Sequence, residues 1–204
     1  MISRRGAVLG LLTLAVAEGV RPLAAARGDA SRFIGELGDQ ALGELGSDGG
    51  SLDRREARFR ELLRDDFDLP FIARFTLGKT WRRATPDQQS EFVEAFGAYV
   101  LRIYSMRFGG YAGETMTIVS ERASGDKDVV VRTRIDRPRG APVDAQWRVR
   151  TTSGGLRIID VMVEGISMAV TQRDEFASVI QSHGLDGLIE ILRARTNKMT
   201  AVSQ

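Results

Sequence analysis

The chain has 204 residues, with 29 Lys and Arg against 27 Asp and Glu, one histidine and no cysteine. The absence of cysteine excludes disulfides, thiolate metal sites, a cysteine nucleophile and a lipidated N-terminal cysteine. The lone histidine excludes a metal site built on several histidines, and the near balance of charge leaves no electrostatic footprint for nucleic acid.

The N-terminal segment, residues 1–26, reads as a cleavable signal peptide. Arg4 and Arg5 form its positive start, Ala7 to Ala17 is an apolar run, and Ala24-Ala25-Ala26 offers the small side chains a signal peptidase requires. The run is shorter than the roughly 20 residues that span a bilayer, and Glu18 closes it. Ser3-Arg4-Arg5-Gly6 also resembles a twin-arginine signal, so the export route stays open. Cleavage after Ala26 removes Arg4, Arg5, Arg21 and Glu18 and leaves 26 charges of each sign. Residues 27–195 are expected to fold as one soluble domain, with 196–204 a frayed tail.

Helices are expected first. From Ser31, Phe33, Ile34, Leu37, Ala41 and Leu45 share one helical face, and a Gly-rich stretch from Gly46 ends it. Ser51 caps a second helix with Phe59, Leu62, Leu63 and Phe67 in its stripe. Asp68 caps a third, with Pro70 in its first turn and Gly78 as its stop. The fourth has the clearest start: Thr85 as cap, Pro86 at the first position and Gln88 completing a capping box. Its apolar face continues through Phe96, Val100 and Ile103 to a break at Gly109-Gly110.

Between Glu114 and Val163 the period changes from 3.6 to 2. Strands are expected at 115–119, 129–135, 143–150 and 156–163, joined by short turns and therefore antiparallel. Val143, Ala145, Trp147 and Val149 alternate with polar residues, giving an apolar and a wet face. The fourth strand is apolar on both faces, which places it centrally. Beyond Gly165, Ser167 caps a helix whose inner face is Val170, Phe176, Val179 and Ile180. After His183-Gly184, a last helix turns Leu185, Leu188, Ile189 and Leu192 inward. The pattern is an α+β domain.

Two carboxylates invite a chemical reading. Asp160 lies in an apolar strand, where an unpaired charge is costly, so it requires an arginine or backbone amides as partner. Glu164 sits at the junction of strand and helix. One reading makes both structural; the other makes the protein a small cone-shaped enzyme acting on a lipid-like substrate through Asp160 or Glu164. His183 reads as a surface or capping residue, and the Asp65-Asp66-Asp68 cluster fits no calcium loop.

Phe59-Arg60-Glu61-Leu62-Leu63, with Phe67-Asp68 and Ile72-Ala73-Arg74, resembles the opening signature of the MlaC family, also called the toluene-tolerance family. Leu77-Gly78-Lys79-Thr80-Trp81-Arg82, Ala84-Thr85-Pro86-Asp87-Gln88 and Tyr104-Ser105-Met106-Arg107-Phe108 are similar to its following segments. Val161-Met162-Val163-Glu164-Gly165-Ile166-Ser167-Met168-Ala169, with Gln172-Arg173-Asp174-Glu175-Phe176, is the most specific block. The resemblance runs from about Ala30 to Arg195.

That family comprises periplasmic phospholipid-binding proteins of an ABC-type lipid transport system. The resemblance therefore implies a curved antiparallel sheet of about four strands, wrapped by N-terminal and C-terminal helices around an apolar lipid pocket. It implies a monomeric, cofactor-free carrier, not an enzyme, that shuttles lipid between an outer-membrane lipoprotein complex and an inner-membrane ABC-type permease complex. A hopanoid-associated branch has very similar blocks, so phospholipid and hopanoid-type lipid both remain open. Positions in or beside these blocks with an inward direction make the pocket candidates. They are Trp81, Phe96, Val100 and Tyr104 on the helical side; Met116, Ile118 and Val131, then Trp147, Val149, Val161 and Val163, on the strands; and Met168 beyond them. By periodicity alone the same positions describe an ordinary core.

Overall fold

Helix starts in the computed structural model, which describes residues 23–46, 52–107 and 113–202, follow local capping chemistry. The helices are α1 (Leu23–Gly46), α2 (Leu52–Asp66), α3 (Leu69–Leu77), α4 (Pro86–Arg107) and α5 (Met168–Val202), with a 3-10 segment at Gly78–Arg83. The Asp68 carboxylate accepts the Phe71 amide at 3.0 Å and starts α3; Gly78, at φ 54°, stops it. At α4 the capping box is reciprocal: the Gln88 amide donates to Thr85 Oγ1 at 3.2 Å, and the Thr85 amide to Gln88 Oε1 at 3.1 Å. Ser167 Oγ accepts the Val170 amide at 3.1 Å. The signal peptide to residue 22, the Ser51 cap and the Gly109-Gly110 break lie outside the described residues.

Some boundaries differ from expectation. Helix α1 begins at Leu23, ahead of the start expected at Ser31. Helix α5 is broken at Gly184 (φ 74°), as His183-Gly184 suggests, but continues past Thr196 to Val202. Val170 is not on an inner face; it is 45% exposed.

The strands are β1 (Thr115–Ser124), β2 (Asp128–Asp136), β3 (Val143–Thr152), β4 (Gly155–Val163) and the two-residue β5 (Ile166–Ser167), which sequence periodicity did not reveal. They form one antiparallel sheet in the order β1-β2-β3-β4-β5. The placement of β4 at the centre is corrected: its outer neighbours are only β5 and a bridge from Phe67 to Ile158. Its two apolar faces have another cause. Asp68 N–H donates to Ile158 O at 2.9 Å, which joins the helical layer to this edge, and Ile158 and Ile159 are both buried. Apolarity on both faces reports burial on both sides, and helices supply it as well as strands do.

Two apolar clusters result. Ala30, Ile34 and Leu37 of α1 pack on Val129, Val131, Val149 and Ile158 of the sheet. The other cluster joins α3, α4 and α5, where Phe92, Phe96 and Phe176 meet with ring centroids 5.7 to 6.1 Å apart.

Candidate functional site

Strand register puts the strand candidates on one face. Val131 pairs with Trp147, Trp147 with Val161, and Val163 with Ala145. Met116 and Ile118 join the same face opposite Ile135 and Thr133, before the register shifts between Ile118 and Ser120. Helix α1 covers the end of this face at Val129, Val131 and Val149, which are buried. Met116, Ile118, Trp147, Val161 and Val163 are only half-buried, so apolar surface stays accessible beside a closed core. The Trp147 indole is oriented by its N–H, which donates to the buried Thr133 hydroxyl at 2.9 Å. Met116 also reaches α1, where a Cβ on Gly38 would overlap its methyl group.

The helical candidates separate from these. Trp81, Phe96 and Val100 belong to the cluster of α3, α4 and α5, with Phe96 enclosed by Phe92 and Phe176. Tyr104, near the end of α4, packs its ring 6.2 Å from Phe59 of α2. Met168 is half-buried at the first position of α5. The structure thus gathers one set on the sheet, distributes the rest over the helices, and places Tyr104 with Phe59 at the meeting of α2 and α4.

Both carboxylates that invited a catalytic reading have structural partners. Asp160 accepts the Ser167 hydroxyl at 2.6 Å and the Ala169 amide at 3.1 Å, anchoring the start of α5 to β4. Backbone amides were among its expected partners. Glu164 adopts φ 50° and Gly165 φ 79°, the pattern of a two-residue hairpin turn. Its side chain accepts the Asp144 amide at 2.8 Å while its own amide donates to Asp144 O at 3.0 Å. His183 is exposed.

Sequence reading missed two features. The face expected to be wet carries a built ion cluster: Asp128, buried, accepts from Arg148 and Arg150, and the Arg150 guanidinium lies 4.5 Å from the Phe71 ring of α3. The other is a groove of about 560 Å³ between α3, the 3-10 segment and α5, lined by aromatic rings and by Arg74, Lys79, Arg82 and Arg173. Of the pocket candidates only Trp81 borders it. Its lining comes from positions nearly a hundred residues apart, so no local motif announces it.

Comparison with known proteins bears on the same segments. The chain is 25% identical over 138 residues to the intermembrane phospholipid transport system binding protein MlaC of Haemophilus influenzae, covering 64% of each chain. It is 28% identical over 105 residues to the toluene tolerance protein ttg2D of Pseudomonas putida, covering 52% of this chain and 49% of that one. The alignments therefore span less than two thirds of either relative. A solved phospholipid-binding protein from Ralstonia solanacearum, in complex with a phospholipid, has the same fold: TM-score 0.74 at 26% identity, covering 84% of this chain and 98% of the other. The family profile described as MlaC protein matches residues 36–194, and the chain therefore belongs to the MlaC family.

Proposed function

We propose that this protein is a soluble periplasmic carrier that binds a phospholipid, or a related hopanoid-type lipid, and moves it between membranes. The observation that carries this reading is the likeness to a chain solved with a phospholipid bound, extending over 98% of that chain. The half-buried apolar face supplies a matching surface in Met116, Ile118, Trp147, Val161 and Val163 of the sheet. Of the remaining candidates, Val131 and Val149 would form the packed base of this face, whereas Phe96, Val100 and Trp81 lie apart from it in the cluster of α3, α4 and α5, and Met168 opens α5.

The energetics favour this architecture for a carrier. Each methylene removed from water is worth about 0.8 kcal/mol, so an exposed acyl chain costs on the order of 10 kcal/mol. A carrier needs a dry apolar surface and no reactive group. The family is one of lipid-binding transport proteins, and Asp160 and Glu164 are committed to a helix start and a turn, so the enzyme reading is set aside. In this reading cleavage after Ala26 releases a monomer. Lipid is exchanged with an inner-membrane ABC-type permease complex on one side and an outer-membrane lipoprotein complex on the other. No helix among the described residues is long and apolar enough to cross a membrane.

Native mass spectrometry of protein purified from its own periplasm tests the reading. A co-purified lipid with a one-to-one mass shift is the expected result. Protein that stays lipid-free after incubation with phospholipid vesicles would overturn it.

A further inference from the structure

We propose that the groove between α3, the Gly78–Arg83 segment and the start of α5 is a docking site for an acidic segment of a partner protein. Its carboxylates would be received by Arg74, Lys79, Arg82 and Arg173, and its apolar side chains by Phe75 and Trp81.

The charge pattern is the first ground. Arg58, Arg64, Arg132, Arg134, Arg148, Arg150 and Arg193 each form an ion pair with a carboxylate. None of the four groove cations is paired with a carboxylate among the described residues, and all four line one concavity. In a chain whose charges nearly cancel, this is a local excess of one sign, and it is complementary to an anionic partner.

The groove is also preorganised. The Arg173 guanidinium lies 5.2 Å from the Phe75 ring centroid. It occupies space that a side chain at position 78 would fill, since a Cβ on Gly78 would stand 3.1 Å from its Nε. Gly78 thus both stops α3 and admits the arginine, which is held in place before any ligand arrives.

Shape and composition select the partner. At about 560 Å³ the groove holds a few side chains, and its concavity does not suit a planar bilayer. A small inorganic anion would use the cations and leave the aromatic lining idle. The groove includes Phe71, which packs under Arg150 on the sheet face opposite Val149 and Trp147, so the inference stands apart from the lipid-binding reading.

Trp81 is a built-in reporter. The whole protein is titrated at low salt with a synthetic peptide alternating Glu and Leu, with inorganic phosphate and with phosphatidylglycerol vesicles. The expected result is a saturable fluorescence change with the Glu-Leu peptide that disappears in Trp81→Phe. It should weaken at least about tenfold in the R74E/R82E double variant and at high salt, and be absent with a Gln-Leu peptide. Circular dichroism verifies the fold of both variants; Arg74 and Arg82 are exposed, and Trp81→Phe keeps an aromatic ring at a half-buried position. No saturable response to the Glu-Leu peptide, or an equal response in R74E/R82E, would overturn the proposal. A stronger response to phosphate would make the groove a small-anion site instead, and a stronger response to vesicles that is lost in Trp81→Phe would make it a membrane contact, whereas a vesicle response that survives in Trp81→Phe comes from Trp147 on the apolar face. Native mass spectrometry of R74E/R82E separates the two readings: lipid occupancy should persist, and its loss would overturn the independence of the groove.

Discussion

Asp128 shows how one residue ties layers together. Its carboxylate is 3% exposed and lies 2.7 Å from both Arg148 and Arg150. Burial alone would raise its pKa, but hydrogen bonds from Arg150 and Arg148 outweigh burial and hold the group below the ordinary carboxylate range. The folded pKa is thus below the unfolded value of about 3.9, so the stabilisation is complete above that pH and is lost as pH falls through the folded pKa. Asp128→Ala is expected to cost about 2 kcal/mol at pH 7, discounted because Arg148 is half exposed. Urea midpoints at pH 7 and pH 3 check this, and the deficit must shrink at the lower pH. Asp160 makes a different demand. Asp160→Asn retains an acceptor for the Ala169 amide, so a cost of about 1 kcal/mol is expected with lipid occupancy unchanged. A thermal melt and native mass spectrometry of the variant measure both; loss of lipid without loss of stability would return Asp160 to the binding machinery. Neither role was fully legible beforehand. Asp160 announced that it needed partners, whereas nothing in the sequence singled out Asp128, because its arginines arrive from another strand.

At the scale of elements, local chemistry was readable and position within the sheet was not. The Asp68 cap and the Thr85–Gln88 box are contacts within four residues, so sequence spacing specifies them. Thr85→Ala should cost about 1 kcal/mol by thermal denaturation, since the Gln88 amide loses its acceptor. The status of β4 depends instead on what packs against its edge, and Phe67 and Asp68 are some ninety residues away in sequence. Register is the more delicate matter, because a one-residue slip reverses every face. The shift between Ile118 and Ser120 is such a point in β1. It leaves Ile118 half-buried in the sheet cluster and Val119 49% exposed. Ile118→Glu should therefore lower lipid occupancy more than about tenfold, since a carboxylate on an apolar contact face is expensive to desolvate. Val119→Glu, one residue on, should leave occupancy unchanged. Equal effects at the two positions would show that this face does not meet the lipid.

For the whole molecule, α1 with the sheet and α3, α4 and α5 with one another form two cores, and the half-buried apolar surface lies beside the first. Periodicity identified most of the inward residues of both, Val170 excepted, but could not tell a wall that is packed from one that awaits a ligand. Val149 and Val161 read alike in sequence, yet one is buried and the other half-exposed. A protein with unfilled apolar surface gives up stability that its ligand restores. Binding to the folded state alone adds RT ln(1 + [L]/Kd), about 4 kcal/mol when free lipid stands a thousandfold above Kd. At roughly 2–4 °C per kcal/mol for a domain of this size, the lipid-loaded protein should melt about 10 °C above the delipidated one. Differential scanning calorimetry before and after detergent extraction and reloading measures the difference. Ile118→Glu should lose most of that increment and R74E/R82E none of it, because one alters the apolar face and the other the basic groove on the far side of the sheet. Delipidated and reloaded wild-type protein melting together would mean that the apolar face is closed without ligand, and the carrier reading would fail at the scale of the whole fold.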